Sequence, residues 1–314
     1  MLKVKNATHI EGVLYQHALQ LKVSGDKSKN PGTQFINGTI DIATDDAMTN
    51  IVSVHFSYVT PTYAKSGQAN ATFNALQNII NGVTMNVMEH GADKAAKLRI
   101  DSQLGVNEFY SNRNGSDELV SVKRNEGGFV HVVQVIAASE GMRDTFMVDM
   151  IINKTRRLEA DPDNNREEKM IVSGYVFDFR NALLPVDFVV YNPEGMDRFE
   201  ALEATEKNPV FINVNGHQVS KVVTTIQKQE SSGWGESFAQ EVTSTQREFV
   251  ITGMKDPYEW DTDTTITAVE YKEMLQNREV TKAEIKQRQD EYNASRAQTQ
   301  APTAAVGGVN GFNF

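Results

Sequence analysis

Apolar and polar side chains alternate over short runs through the first 155 residues, the pattern of strands with one buried face. Such runs span residues 10–23, 34–43, 51–60, 97–104, 119–123 and 129–137, separated by segments rich in Gly, Asn and Asp. One segment follows another period. Between Asn70 and Met88, the residues Phe73, Leu76, Ile80, Val83 and Val87 recur every three or four positions, which predicts a single helix weakened by Gly82. Asn114-Gly115 predicts a hairpin turn, and Gly12, inside the first strand, predicts a bulge there.

Three strands, a helix and further strands is the order of a five-stranded OB barrel, and residues 1–155 are assigned to one. Residues 156–169 are polar and charged around Asp161-Pro162-Asp163-Asn164-Asn165, which predicts a linker between domains. Alternation resumes over 170–179, 184–191, 198–204, 210–214, 219–227 and 247–252, so residues 170–266 read as a second, all-β domain. Its opening, Val172-Ser173-Gly174-Tyr175-Val176, repeats the glycine-bearing strand of Glu11-Gly12-Val13-Leu14, which makes a second OB-like barrel plausible. Thr267-Ala268-Val269-Glu270 and Thr281-Lys282-Ala283-Glu284 both match the capping box and predict a helical pair over 267–296. Residues 297–314 carry no charged side chain and are predicted to be a disordered tail.

Composition narrows the function. With 314 residues, two domains are the natural reading. The chain has no cysteine, which excludes disulfides, thiolate nucleophiles and cysteine-bound metals. No apolar run is long enough for a membrane helix and Met1-Leu2-Lys3-Val4-Lys5-Asn6 lacks the apolar core of a secretion signal, so a cytoplasmic location is expected. The net charge of −10 weighs against a nucleic-acid ligand, but the acidic surplus sits in residues 156–266, with 20 acidic against 11 basic side chains. Residues 1–155 are near neutral, with 14 basic and 15 acidic.

Catalytic signatures are missing. The six histidines form no metal-ligand spacing, and no phosphate-binding glycine loop, dinucleotide fingerprint or serine nucleophile elbow occurs. The clusters Asp45-Asp46, Asp161-Pro162-Asp163 and Asp256-Pro257-Tyr258-Glu259-Trp260-Asp261 fall in turn-forming segments. The chain therefore reads as a binding protein without catalytic residue, metal or cofactor. Single-stranded nucleic acid needs ring platforms for bases and cations for phosphates. The first domain interleaves them: Phe56 and Tyr58 on one strand face, Tyr63 and Lys65 in the following loop, then Arg99, Phe109, Tyr110, Arg113, Lys123 and Arg124 around the predicted hairpin. Tyr175, Phe177 and Phe179 read better as core, whereas Trp234 is a candidate loop aromatic.

With this strand order, the glycine-bearing strands, the Asn107-Glu108-Phe109-Tyr110 hairpin and the aromatic end Gly311-Phe312-Asn313-Phe314, the chain resembles phage-encoded OB-fold single-stranded-DNA-binding proteins. The resemblance implies single-stranded DNA as partner, coated during replication or recombination. It also implies a docking role for Phe312 and Phe314 toward replication or recombination proteins or a neighbouring subunit, although the tail lacks the acidic residues such tails carry. The alternative, a phage virion or assembly protein that binds no nucleic acid, would also suit two β domains with a helical appendage.

Overall fold

The computed structural model describes residues 4–26, 28–111, 117–161, 166–228, 239–262 and 266–299. Eleven strands are named among them: β1 (Asn6–His17), β2 (Gln20–Val23), β3 (Gln34–Ala43), β4 (Ile51–Val59), β5 (Lys97–Ser111), β6 (Glu118–Val133), β7 (Asp144–Leu158), β8 (Lys169–Phe177), β9 (Leu183–Val190), β10 (Val210–Lys228) and β11 (Ala239–Met254). Helices α1 (Ala71–Ile80), α2 (Val87–His90), α3 (Pro193–Glu200) and α4 (Ala268–Thr299) join or follow them.

Pairing closes the first five long strands into a ring. Strand β1 runs antiparallel to β3, β3 to β4, β5 to β6 and β1 to β5, while β4 and β6 pair in parallel at Val54↔Asn125 and His55↔Glu126. With α1 between the third and fourth ring strands, this is the OB topology. The second ring repeats it: β7 with β8, β8 with β9, β10 with β11 and β7 with β10 antiparallel, β9 with β11 in parallel, and α3 between the third and fourth strands. The chain is thus mainly β, two OB barrels followed by a C-terminal helix.

Each barrel encloses its own core, Ile10, Leu14, Ile40, Val54, Phe56 and Leu98 in the first, Val148, Met150, Val172, Phe188, Ile212 and Phe249 in the second. Each such side chain contributes about 1.5–3 kcal/mol by leaving water. The barrels are joined in register, because β1 also pairs with β7 from Asn6↔Val148 to Ile10↔Asp144. Polar side chains bridge the same junction. Asn50 Nδ2 donates to Asp144 Oδ2 at 2.7 Å, Ser220 N donates to Asn50 Oδ1 at 2.7 Å, and Asn125 Nδ2 donates to Gln218 Oε1 at 2.6 Å.

Several expectations are corrected. Residues 156–169 are not a linker: they hold the end of β7 and the start of β8, with Arg157 opposite Met170, Leu158 opposite Lys169 and an antiparallel bridge between Asp161 and Arg166. A polar hairpin tip and an interdomain linker have the same composition, and only the pairing separates them. Strand β7, which the alternation did not mark and most of which falls in the residues assigned to the first domain, opens the second barrel, so β8 is a second ring strand and Gly174 is not the counterpart of Gly12. The bulge of β1 lies between Leu14 and Gln16; Gly12 instead lets the Ala43 carbonyl oxygen occupy the space of a Cβ.

The helix expected over 70–88 is two helices, with Asn70 Oδ1 accepting from Thr72 N at 3.1 Å to start α1 and Asn81 ending it. Phe73 and Leu76 enter the core, while Val83 is exposed. The strand expected over 198–204 is the end of α3 and the turn after it, where Asn192 caps and Pro193 starts the helix.

The expected helical pair is the single helix α4. Its first capping box forms as read: Glu270 N donates to Thr267 Oγ1 at 3.1 Å and Thr267 N donates to Glu270 Oε2 at 2.9 Å. The second does not, because Thr281 Oγ1 donates to the Asn277 carbonyl at 3.0 Å inside an unbroken helix that contains neither Gly nor Pro. Tyr271 seats α4 against Ile151, Phe177, Leu183 and Phe211 of the second barrel. The tail with Phe312 and Phe314, the Asn114-Gly115 turn, Arg113 and Trp234 lie outside the described residues.

Candidate nucleic-acid interface

A groove of about 560 Å³ opens where the end of β4 faces the bulged centre of the β5–β6 pair and the turn between β8 and β9. Its floor follows from a defect in pairing. The β5–β6 register shifts between Asp101 and Gln103, and Gly127 and Gly128 have φ of +68° and +113°. A Cβ on Gly128 would collide with the Asp101 carbonyl oxygen, so glycine is required for β6 to turn here. Thr72 Oγ1, at the start of α1, donates to the Gly128 carbonyl at 3.2 Å and holds the bend.

Four exposed rings line this groove. Phe129, just past the bend, is 59% exposed, Tyr58 45%, Tyr63 38%, and Phe179, reaching across from the β8–β9 turn, 67%. Asn6 fixes the second barrel's side of the groove, its Nδ2 donating to the carbonyls of Leu104 and Phe177, each at 2.8 Å. Phe56 and Tyr58 do not share a face as their spacing predicts. Phe56 is fully buried, whereas Tyr58 has φ +54°, which breaks the strand's alternation and turns its ring outward to lie 4.6 Å from the Phe35 ring. A non-glycine residue in this conformation costs about 1–3 kcal/mol and concentrates at ligand sites.

Charge in the groove is nearly balanced. Asp101 receives His9 Nδ1 at 2.7 Å and lies 3.7 Å from Arg99 Nε, and Glu126 receives Arg124 Nη2 at 2.8 Å. Arg99 and Arg124 thus stand beside the groove but offset its own carboxylates. Burial lowers the pKa of His55, helped by Arg124 and opposed by Glu126. Lys65 is exposed in the loop between β4 and α1, beside Tyr63, and no described carboxylate pairs with it.

Other expected residues lie elsewhere. Lys123 is no surface cation: its Nζ donates to the Asp187 carbonyl and lies 5.9 and 5.7 Å from the ring centroids of Phe188 and Phe249, between the barrels. Burial lowers its pKa, partly opposed by Asp187 and Glu248. Tyr110 lies under Lys286 of α4, whose Nζ is 5.1 Å from the ring centroid, and the adjoining Phe109 shares that arm, away from the groove. Sequence reasoning missed Phe35 and Phe129, and it assigned Phe179 to the core with Phe177, whereas Phe177 is buried and Phe179 is exposed in the groove. A signal for Phe129 was present in Gly127-Gly128, a double glycine inside a strand pattern; for Phe179 it was the following Arg180-Asn181, since Asn181 takes φ +63° in a turn.

Among the described residues no three His, Asp or Glu side chains are grouped to hold a metal ion, and no helix is long and apolar enough to cross a membrane. The family model described as YorF matches residues 5–290. No curated protein sequence matches the chain. A crystal structure of a deletion mutant of the single-stranded DNA binding protein from Thermus aquaticus is similar at 8% identity and a TM-score of 0.45, covering 83% of this chain and 98% of that one.

Proposed function

The chain belongs to the YorF family, and for it we propose that single-stranded DNA is the ligand of the groove between the two barrels. The observation that carries the reading is the convergence of Tyr58, Tyr63, Phe129 and Phe179, from three separate segments of the sequence, on one open cleft. Rings exposed together in this way stack on bases of any sequence, each engaged base contributing about 1–3 kcal/mol. Lys65, exposed two residues beyond Tyr63, is a cation available to phosphate, and the balanced pairs Arg99–Asp101 and Arg124–Glu126 spare a phosphate chain an uncompensated carboxylate. In this reading the protein coats exposed DNA in phage replication or recombination and has no catalytic step.

A fluorescence titration with labelled oligo-dT at two salt concentrations tests it. Saturable binding that weakens with salt and is lost in a Tyr58→Ala, Phe129→Ala double variant supports the reading. Absence of binding by the unmodified protein at low salt removes it and favours the virion or assembly role.

A further inference from the structure

A second cavity, of about 390 Å³, lies beneath α4, bounded by β5, the β8–β9 turn and the helix. It takes no part in the stacking surface, yet it adjoins it along two elements. On β5, Gln103 lines the aromatic groove and Val106 lines the second cavity; three residues of strand separate them by about 10 Å. On the β8–β9 turn the two openings are served by consecutive residues, Phe179 in the groove and Arg180 in the cavity, with the Arg180 guanidinium carbon 4.9 Å from the Phe179 ring centroid.

The cavity is lined by three arginines and two carboxylates, a net surplus of one positive charge. Glu108 is held by both terminal nitrogens of Arg278. Asp178 is engaged by the turn, its Oδ1 accepting from the backbone N–H groups of Arg180 and Ala182, each at 2.7 Å. Among the described residues no carboxylate pairs with Arg180 or with Arg288, which enters from α4, although Arg288 Nε donates to the Glu284 carbonyl at 3.3 Å. Two guanidinium groups with free donors therefore face one concave site that begins where the ring-lined groove ends. Guanidinium forks suit phosphate oxygens.

We infer that this cavity is a second subsite for the same ligand: the strand stacked in the groove passes over the Phe179–Arg180 turn, and its phosphodiester backbone pairs with Arg180 and Arg288. The inference rests on the groove reading and adds a path and a polarity-independent cation pair to it. It explains why the β8–β9 turn carries an exposed ring and an exposed arginine side by side.

The experiment compares oligo-dT of about 4 nucleotides, enough for the groove, with one of about 16. Arg288→Ala is the cleaner variant, because Arg180 also covers Phe179; Arg180→Ala supports it, and melting temperature checks folding. Arg288→Ala is expected to leave the short oligonucleotide's affinity unchanged. For the long one it lowers the slope of log affinity against log salt by about 0.7, equivalent to about fivefold in affinity over a tenfold span of salt. An unchanged slope and affinity with the long oligonucleotide, while Tyr58→Ala still weakens it, overturns the second subsite and leaves the groove reading standing. Equal losses with both lengths also overturn it, by placing the arginines at the groove itself. If the unmodified protein binds neither length, both readings fall together.

Discussion

Arg278, near the middle of α4, grips Glu108 of β5 with both terminal guanidinium nitrogens, the two side chains being only 4% and 6% exposed. This pair, together with Lys286 over the Tyr110 ring, ties the C-terminal helix, which Tyr271 seats on the second barrel, to a long strand of the first. Its strength depends on both members staying in place, since removing one leaves the other charged, buried and unpaired.

Arg278→Ala is therefore expected to destabilise the protein by about 3–5 kcal/mol, whereas replacing both residues by apolar ones of similar volume costs much less. Denaturant unfolding of the single and double variants measures the difference. If the single variant unfolds like the unmodified protein, the pair does not anchor α4.

Phe56 and Tyr58, two residues apart, are expected to respond in opposite ways. Phe56→Ala empties space in the first barrel and should cost about 3–5 kcal/mol of stability. Tyr58→Ala should leave stability nearly unchanged and weaken oligo-dT binding by about ten- to a hundredfold, the equivalent of one stacked base. Melting curves and titrations on the same two preparations give both numbers, and a Tyr58→Ala loss confined to melting temperature would assign that ring to structure alone.

Gly128→Ala combines a φ of +113° with a collision at the Asp101 carbonyl, so either β6 shifts or the bulge is lost. The expected cost is about 1–3 kcal/mol or more, together with weaker DNA binding as Phe129 moves from the groove. Full stability and full affinity in the variant would show that the bend does not depend on glycine.

Glu270 titrates below its ordinary range, because the backbone N–H and then the hydroxyl of Thr267 donate to its carboxylate. A carboxylate held low in the folded state contributes stability above its unfolded pKa of about 4.3, and that contribution fades as the pH falls through the lower folded value. Amide exchange at Thr267 and Glu270 should thus speed up, relative to mid-helix amides, as the pH falls below about 4. In Glu270→Ala this extra acid sensitivity is expected to be gone; its persistence would place the sensitivity in another group.

Local pattern determined a good deal of this molecule. Alternation marked most of the strands, the order of three strands and a helix identified the first barrel, and Thr267 and Glu270 marked the start of α4 three residues apart in a motif whose geometry is entirely local. Tertiary structure decided the rest, for reasons that local pattern does not contain. Period two places Phe56 and Tyr58 on one face, and only the backbone reversal at Tyr58 separates core from surface. A lysine beside a hairpin looks solvated until a second barrel closes over it, as Phe188 and Phe249 do over Lys123. The tip of a β7–β8 hairpin and a linker are equally polar, and the distinction lies in strands paired across the gap. The groove itself joins Tyr58 to Phe179 across 120 positions, a proximity fixed by the β1–β7 pairing that docks one barrel on the other.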